Sequence, residues 1–377
     1  MNNTPELLSP AGDLDKMRFG IAYGADAVYM AGTRFGMRAA ATNFDDNALR
    51  EGIAYAHAHG VKCYITVNIM PSNRDLPALP AYLELLQDAG ADALIIADVG
   101  VLRMARRYAP KVPVHISTQT SILNHEAANY WADEGAERIV LARELSLEEI
   151  AEIRAKTPKE LEIEAFVHGA MCISYSGRCL ISQYMTGRDA NHGACAQPCR
   201  WNYSLMEEKR PGQFFPVEED GRGTYLYNSK DMCMIEHVPE LIKAGITSFK
   251  IEGRNKTAYY AACVTGAYRA AIDTYKKDPE NFVLPQFCRD EVNKVSHREY
   301  YTGFYFGNQE NGQHYGDSQY IREYEVVGMP VECDDSGKAV FALKNRFFDG
   351  EELELIQPGQ APYVFRAENV TDDEGTE

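Results

Sequence analysis

The amino-acid sequence predicts a (β/α)8 TIM-like barrel with a cysteine-rich insertion after its seventh strand and a small β module at its C-terminal end. Two observations predict the barrel. Short apolar stretches alternate with amphipathic stretches over the first 255 residues, which is typical of parallel strands covered by helices. Eight such apolar stretches occur, and eight strands close a barrel of this kind. An open doubly wound sheet is the alternative, but no G-x-G-x-x-G motif follows the first strand.

Five of the predicted strands follow a glycine of the kind that ends a helix in the left-handed conformation. These five segments are residues 24–30, 60–68, 90–98, 135–143 and 245–253. The three other strands are residues 6–8, 114–117 and 161–166. The hydrophobic spacing predicts helices over residues 47–59, 79–88, 99–108, 126–134, 147–156, 235–244 and 257–276. The sequence SLEE at residues 146–149 is a capping box that starts one of them.

The pattern changes after Pro279. One more helix over residues 287–301 would complete a barrel domain of residues 1–300. Residues 301–322 are rich in Gly, Gln, Asn and Tyr and are interpreted as a linker. Alternating apolar residues in 323–377 predict an antiparallel module similar to a small β-barrel. About four strands are too few to close a barrel, so we expect this module to be truncated in the chain as given.

The net charge of −17 argues against a protein that coats nucleic acid non-specifically. The N-terminal residues have neither the basic nor the apolar region of a secretory signal. No apolar run reaches the ~18 residues that a membrane-spanning helix needs. We therefore expect a cytoplasmic protein without a membrane partner, in which the cysteines stay reduced.

The most informative stretch is residues 168–201, which holds Cys172, Cys179, Cys195 and Cys199 in the spacing C-x6-C-x15-C-x3-C. Four thiolates suit a tetrahedral zinc ion or an iron–sulfur cluster, and the spacing alone leaves both open. The insertion continues to residue 223, and its polar residues 203–223 predict a hairpin or a lid.

Polar residues occur at the ends of nearly all predicted strands, where a barrel carries its active site. Helix caps and rim ion pairs are the alternative for individual members, and we expect Asp98 to be a cap. As a set they indicate an active-site face at one mouth of the barrel, and we expect the cysteines to lie at the same mouth. The candidates are Asn68, Gln119, Arg143, Glu144, His168, Lys250, Glu252 and Arg254.

Several motifs together resemble the collagenase-like peptidase family (U-32), over residues 5 to about 360. They are ELLSPAG, GADAVY, EAFVHGAMCISYSGRCLISQY, GACAQPCRW, NSKD and SFKIEGR. Within that family the chain is most similar to a branch that hydroxylates tRNA. The resemblance implies an oxygen-sensitive [4Fe-4S] cluster and hydroxylation at C5 of the wobble uridine in the anticodon loop, with prephenate in place of molecular oxygen. Sister branches hydroxylate a ribosomal-RNA cytidine or act in oxygen-independent ubiquinone synthesis.

The resemblance also implies roles for individual residues. Cys172, Cys179, Cys195 and Cys199 match the family's cluster ligands, with Cys233 in reserve. Prephenate is a dicarboxylate and would need arginines at the mouth, for which Arg143 and Arg254 are the candidates, followed by Arg178 and Lys250. His168, Glu252 and Glu144 are candidate catalytic groups, and Asn68 and Gln119 are additional candidate substrate ligands.

Two other functions stay open at this point. A peptidase would need an activated nucleophile, yet the sequence has no G-x-S-x-G or H-E-x-x-H motif, and thiolates that hold a metal are not free to attack a carbonyl. A zinc-stabilised RNA-binding module would use the same four cysteines. Tyr29, Tyr175, Tyr184 and Trp201 are aromatic residues near the mouth or the cysteines that could stack on a base, although core packing explains each one singly. A paralogous subunit or a second copy of the chain is a further expected partner.

Overall fold

The structure, a computed structural model, describes residues 4–37, 42–172, 174–201, 205–206, 214–215, 229–307, 320–336 and 339–370. Most of the predicted lid at 203–223 and of the linker at 301–322 lies outside these residues. The strands are β1 Glu6–Pro10, β2 Ala27–Met30, β3 Lys62–Val67, β4 Ala93–Ile96, β5 Val114–Ile116, β6 Arg138–Val140, β7 Glu162–Ala170, β8 Leu205–Met206, β9 Phe214–Phe215, β10 Asp231–Cys233, β11 Ser248–Ile251, β12 Tyr300–Tyr301, β13 Gly328–Cys333, β14 Ala339–Leu343, β15 Glu352–Leu355 and β16 Tyr363–Arg366. The helices are α1 Leu14–Ala22, α2 Asp46–Ala58, α3 Leu79–Ala89, α4 Val99–Tyr108, α5 His125–Asp133, α6 Leu147–Ala155, α7 Ile181–Thr186, α8 Val238–Lys243, α9 Ala258–Lys277 and α10 Gln286–Lys294.

The predicted (β/α)8 barrel is confirmed. Strands β1 to β7 pair in order, all parallel, and β11 pairs with both β1 and β7, which closes the barrel. The chain also adds two strands that the sequence did not predict. Because β7 continues to Ala170, its last three residues extend past the barrel, where β10 pairs with them antiparallel and β12 pairs with β10. This extension carries the chain from the barrel into the cysteine-rich insertion.

The helix boundaries follow the predicted local signals. The Asp98 side chain accepts a hydrogen bond from the backbone of Val101 at the start of α4, and Ser146 with Glu149 forms the expected capping box of α6. The five glycines predicted to end helices all have positive φ, between 72° and 97°, in which other residues are strained. They are Gly24, Gly60, Gly90, Gly135 and Gly245.

The interior of the barrel has two different halves. Strands β1 to β4 fill one half with buried apolar and tyrosine side chains, namely Leu8, Ala27, Tyr29, Tyr64, Ala93 and Ile95. The strands that complete the circle place buried polar side chains there instead, namely His115, Arg138, Glu164, Ser248 and Lys250. The larger apolar core lies between the barrel and its helices. The polar half includes Lys250, which also lines the candidate active site.

The C-terminal region forms small antiparallel sheets, as predicted. There β13 pairs with β14 and β15 pairs with β16, as two separate sheets. The predicted helix over 287–301 is too long, since α10 ends at Lys294 and the following residues pair with β10 and, through His297, with Ile321. Among the described helices, none combines the length and the apolar character that crossing a membrane requires.

Candidate active site at the barrel mouth

A chamber opens at the C-terminal ends of the barrel strands. It contains seven of the residues that the sequence analysis proposed for the site. The described residues that line the chamber are Tyr29, Met37, Thr66, Asn68, Ile95, Ser117, Thr118, Gln119, Arg143, Phe166, Cys172, Ser176, Gly177, Lys250, Glu252 and Arg254. Several strands and the loops that follow them supply these side chains, as expected for an active site in this architecture.

Three buried cations dominate the electrostatics of this chamber. The side chains of Arg143, Lys250 and Arg254 belong to residues that are 6%, 4% and 3% exposed. Among the described lining residues, Glu252 is the one carboxylate that faces them. Because burial of a charge is costly without compensation, this excess of positive charge favours an anionic ligand.

Each of these cations is held in place by the fold. Arg143 donates hydrogen bonds to the carbonyl oxygen of Ala170 and to the hydroxyl of Ser176, both at 2.9 Å. Arg254 donates to the carbonyl oxygen of Met37. The aromatic rings of Tyr29 and Phe166 form the adjacent wall, with the Lys250 Nζ 4.5 Å and 5.5 Å from their centroids. Cation–π contacts of this kind stabilise a desolvated ammonium group.

The pKa of Arg143 is raised above its ordinary value even though the residue is buried. Burial by itself would lower this pKa, but the Cys172 thiol and the Glu252 carboxylate raise it by more. Arg143 is therefore a permanent cation in contact with the first cysteine of the motif.

A buried ion-pair network lies directly below the chamber. Lys250 Nζ is 2.7 Å from Glu164 Oε1, and Arg138 Nη1 is 3.0 Å from Glu164 Oε2. Arg138 also pairs with Glu6 at 2.6 Å and with Glu162 at 2.5 Å. Burial would raise the pKa of Glu164, but Lys250 and Arg138 outweigh this and hold the pKa below its ordinary value. The network holds the ammonium group of Lys250 from below, and Lys250 also lines the chamber.

The predicted substrate ligands Asn68 and Gln119 bind each other. Asn68 Nδ2 donates to Gln119 Oε1 at 2.6 Å, and Gln119 Nε2 donates to the backbone oxygen of Asn68 at 2.8 Å. The cysteine loop reaches this pair at Gly177, whose φ is +71° and where a Cβ would lie 2.9 Å from Gln119. The Asn68–Gln119 pair thus forms the part of the chamber wall that the cysteine loop approaches at Gly177.

The four cysteines lie on one loop at this mouth. Cys172 lines the chamber, and the segments of the other three are tied together because the Ser182 hydroxyl on α7 accepts a hydrogen bond of 2.9 Å from the backbone of Ala196. In the described residues, no three His, Cys, Asp or Glu side chains converge closely enough to hold a metal. The donor chemistry fits a thiolate-bound metal or cluster, whereas the sulfurs are not arranged as a coordination shell.

Comparisons with known proteins show the family of the chain. Residues 12–315 match the family model described as "Peptidase family U32", and residues 322–377 match its "C-terminal domain". The chain belongs to peptidase family U32.

A Bacillus subtilis relative named "tRNA hydroxylation protein P1" is 40% identical over 99% of this chain and 88% of its own length. "tRNA hydroxylation protein P" of Escherichia coli is 38% identical over 98% of this chain and 90% of its own length. A 23S rRNA 5-hydroxycytidine synthase of Escherichia coli is 40% identical over 86% of this chain and 48% of its own length.

Three other candidates do not line the chamber of this U32 protein. Arg178 is exposed on the cysteine loop and Glu144 is half-buried beside Arg143, where burial raises the pKa of Glu144 against the lowering effect of Arg143. His168 is buried among the rings of Tyr260, Tyr268 and Tyr300, on the α9 side of the sheet. Burial, with smaller contributions from Lys256 and His297, lowers the pKa of His168 to about 3, so its imidazole stays neutral near pH 7.

The reserve cysteine, Cys233, lies near His168 and away from the chamber. It belongs to β10, and its register partner in β7 is His168. Burial raises the pKa of the Cys233 thiol to about 12, with a smaller opposing effect from a hydrogen bond of Tyr268. In this structure Cys233 is a protonated thiol on the α9 side of the sheet.

Sequence reasoning missed several residues that shape the site. Phe166 and Ser176 line the chamber, and so does Thr66, whose buried hydroxyl oxygen has no hydrogen-bond partner among the described residues. Glu164 and Arg138 hold Lys250 from below. A signal for Glu164 existed, since a carboxylate in the middle of an apolar barrel strand must be paired when it is buried.

Proposed function

We propose that this U32 protein is an RNA-modifying enzyme that hydroxylates tRNA. The observation that carries the proposal is the chamber itself, where three buried cations and one carboxylate lie beside a loop with four thiols. The likeness over nearly the whole chain to two tRNA hydroxylation proteins supports the choice of substrate. In detail, we propose C5 of the wobble uridine in the anticodon loop as the target and prephenate as co-substrate.

The charge of the chamber supports a dicarboxylate as the co-substrate. Arg143 and Arg254 can each present a planar guanidinium to a carboxylate, which is the geometry that favours paired hydrogen bonds. Lys250 adds a third positive charge that Glu164 keeps in position. The Thr66 hydroxyl, which has no hydrogen-bond partner among the described residues, can bind a polar group of either substrate. Because all four groups are buried, water competes weakly for the bound anion.

The proposed cofactor is a [4Fe-4S] cluster held by Cys172, Cys179, Cys195 and Cys199, with zinc as the alternative metal. Replacing a C–H bond of uracil by C–OH removes two electrons from the base and needs an oxygen atom, and prephenate is the proposed co-reactant in place of molecular oxygen. A cluster held by these cysteines would supply electron transfer. The chain's own part is to bind both substrates at the mouth, to orient them and to exclude water. The permanent charge of Arg143 next to Cys172 also favours the thiolate form of that cysteine.

The chamber gives little support to a peptidase. Among its described lining residues there is no histidine that could act as a general base for Ser117 or Cys172. His168, the histidine nearest the motif in sequence, is enclosed by tyrosines. Modification of a ribosomal-RNA cytidine, the activity in the name of one relative, is instead a second outcome of the same experiment.

The test is mass spectrometry of nucleosides from tRNA and ribosomal RNA of cells that lack the gene. We expect hydroxylated uridine to disappear from tRNA and to return with the wild-type gene but not with Cys172→Ser or Arg254→Gln. Loss of hydroxycytidine from ribosomal RNA, with tRNA unchanged, would reassign the substrate. Anaerobically purified protein should contain about four iron and four sulfide per chain if the thiolates hold a cubane cluster, whereas one zinc per chain would contradict the cofactor. A paralogous subunit or a second copy, and the cytoplasmic location, stay predictions.

A further inference from the structure

The cysteine-rich loop exposes an unusual number of large apolar side chains. Tyr184 is 88% exposed and Leu180 is 70% exposed, while Tyr175, Met185 and Trp201 are between 42% and 45% exposed. Single exposed apolar residues are ordinary, but several in one short segment mark a surface that contacts something else. All five lie between residues 175 and 201, on the same loop as the cysteines.

The short helix α7 is anchored by its polar side. Tyr184 donates its backbone N–H to the carbonyl oxygen of Leu180 at 2.9 Å, so these two residues are one turn apart and share a face. Ser182 is fully buried, and its hydroxyl accepts the hydrogen bond from Ala196 that ties the two cysteine pairs together. The usual orientation of an amphipathic helix is therefore reversed, because α7 buries a serine and presents Leu180 and Tyr184 to the outside.

The charge of this loop differs from that of the rest of the chain. Residues 168–201 contain three arginines and one aspartate, in a protein with a net charge of −17. Arg178 and Arg188 are exposed, and neither forms an ion pair with a carboxylate in the part of the chain that the structure describes. The aspartate, Asp189, is already bound to His192 at 2.7 Å. The loop is thus a positive and aromatic surface on an acidic protein.

The aromatic surface is continuous with the chamber. Tyr175 precedes Ser176 and Gly177, which both line the chamber, and Ser176 binds Arg143. A polymer whose reacting unit enters the chamber can therefore place its neighbouring units on this loop.

We propose that Tyr184 and Leu180, together with Tyr175 and Trp201, form a stacking platform for the unpaired bases that flank the reacting base of an RNA loop. Arg178 and Arg188 hold the phosphates between these bases. The proposal rests on the proposed function and deepens it, because it states how the RNA is bound. Unpaired bases offer flat faces to aromatic side chains, and this contact needs no overall positive charge. Because the net charge is −17, we expect non-specific attraction to a duplex backbone to be weak and local contacts of this kind to carry much of the RNA affinity.

The experiment measures binding by fluorescence anisotropy with two labelled RNAs and the full chain. One RNA is an anticodon stem-loop, and the other is the same stem closed as a blunt duplex without a loop. We expect the wild type to prefer the stem-loop and Tyr184→Ala to weaken that binding by about tenfold or more, which is the range for a lost base–aromatic stack. Tyr184→Phe should keep the affinity, because the ring is retained. Since two arginines contact phosphates, the logarithm of the affinity should fall with the logarithm of salt with a slope of only about −1.4.

The matched control is Tyr130→Ala, which removes a tyrosine that is 54% exposed on α5, away from the loop. It should leave binding unchanged. Iron content and thermal unfolding of Tyr184→Ala should equal those of the wild type, so that a weaker affinity reports the surface alone.

Two results would overturn the platform. In the first, Tyr184→Ala binds the stem-loop as well as the wild type does. In the second, Tyr184→Ala weakens binding but also changes the mass of the assembly in light scattering, which would make this surface a contact between copies of the chain. Either result leaves the proposed function standing if tRNA hydroxylation still depends on the gene. Absence of that dependence would reject the proposed function, whatever the binding data show.

Discussion

The lower layer of the barrel interior and the chamber above it use buried charges in opposite ways. In the lower layer each cation has its carboxylates, with Arg138 against Glu6, Glu162 and Glu164. In the chamber, Arg143 donates to the Ala170 carbonyl and the Ser176 hydroxyl and is also attracted by Cys172 and Glu252, and Arg254 donates to the Met37 carbonyl. In the lower layer three carboxylates face Arg138 and Lys250, whereas Glu252 is the one carboxylate among the described residues that line the chamber with Arg143, Lys250 and Arg254. The difference separates charges that hold the barrel together from charges that border the chamber.

Lys250 belongs to both layers. Its ammonium group pairs with Glu164 below and borders the chamber above, between the rings of Tyr29 and Phe166. One carboxylate thus connects the stability of the barrel with the geometry of the site. Substitutions in the two layers should therefore have different signatures, and the following predictions test this from the largest expected effect to the smallest.

Glu164→Gln should cause the largest loss of stability. It removes the charge that both Arg138 and Lys250 face in the lower layer, and breaking a buried ion pair costs about 3–5 kcal/mol of unfolding free energy. Urea unfolding at pH 7 measures the loss. Because the pKa of Glu164 is lowered in the folded state, its stabilising effect is present above the unfolded pKa of about 4.3 and is lost as pH falls below that value. The difference between wild type and variant should shrink accordingly in acid.

The matched control is Glu162→Gln on the same strand. Glu162 also pairs with Arg138, but its side chain is 46% exposed, and exposed pairs contribute about 0–1 kcal/mol. Equal losses in the two variants would contradict the distinction between buried and exposed members of the network.

Arg254→Gln should leave the barrel stable and weaken the binding of the anionic ligand. The chamber loses one of its surplus charges, and hydrogen bonds to charged groups contribute about 1.5–3 kcal/mol, so prephenate should bind about 10- to 100-fold less tightly. Isothermal titration calorimetry measures the dissociation constant, and circular dichroism checks the fold. Lys62→Gln, at the exposed start of β3, is the control for a lost positive charge elsewhere. An unchanged dissociation constant would remove Arg254 from the site.

Gly177→Ala should displace the cysteine loop from the chamber wall. The residue has φ +71°, and a Cβ would lie 2.9 Å from Gln119. A strained backbone of this kind costs about 1–3 kcal/mol, and the contact adds to it, so we expect lower iron content and lower activity. Gly187→Ala is the matched control, because Gly187 has φ +72° with no atom within 4 Å of a Cβ. Similar iron contents in the two variants would show that the contact with Gln119 is unimportant.

The sequence was sufficient for the parts of the molecule that local signals determine. Glycines at helix ends, the capping box at Ser146 and eight apolar strands predict the barrel, because each signal acts within a few residues. The positions of Arg143, Lys250 and Arg254 followed from the rule that strand ends form the site. In a closed parallel barrel the C-terminal ends of all strands surround one mouth, so these three side chains lie close together there.

The parts that failed depend on contacts between distant residues. The direction of His168 could not be read from its place after β7, because the extension of that strand pairs with β10 and turns the side chain towards α9. Arg138 lies 132 residues from its partner Glu6, so their pairing has no local signal. All residues of β14 are exposed in the structure although most of them are apolar, and no local signal in the sequence indicates this. The sequence analysis also explained Tyr175, Tyr184 and Trp201, taken one at a time, by core packing. The structure shows instead that all three side chains are exposed.

His168→Phe should have the smallest effect on activity. His168 lies outside the chamber and is neutral at pH 7, so tRNA hydroxylation should continue and stability should fall by about 1 kcal/mol for the lost hydrogen bond with Tyr300. Its influence should appear in acid. The folded pKa of about 3 is below the unfolded pKa of about 6.5, so the unfolded state takes up the proton first as pH falls. Stability from this residue is therefore present above pH 6.5 and is lost towards pH 3.

Between pH 6.5 and pH 5, each such histidine should lower the unfolding free energy of the wild type by up to about 1.4 kcal/mol per pH unit. His115, whose pKa burial also lowers, remains in the variant, so the slope should decrease without vanishing. Urea unfolding at several pH values measures it. His168→Phe should keep the fold and show the reduced pH slope. If such a variant loses tRNA hydroxylation, His168 takes part in catalysis. The functional region would then extend from the chamber to the α9 side of the sheet.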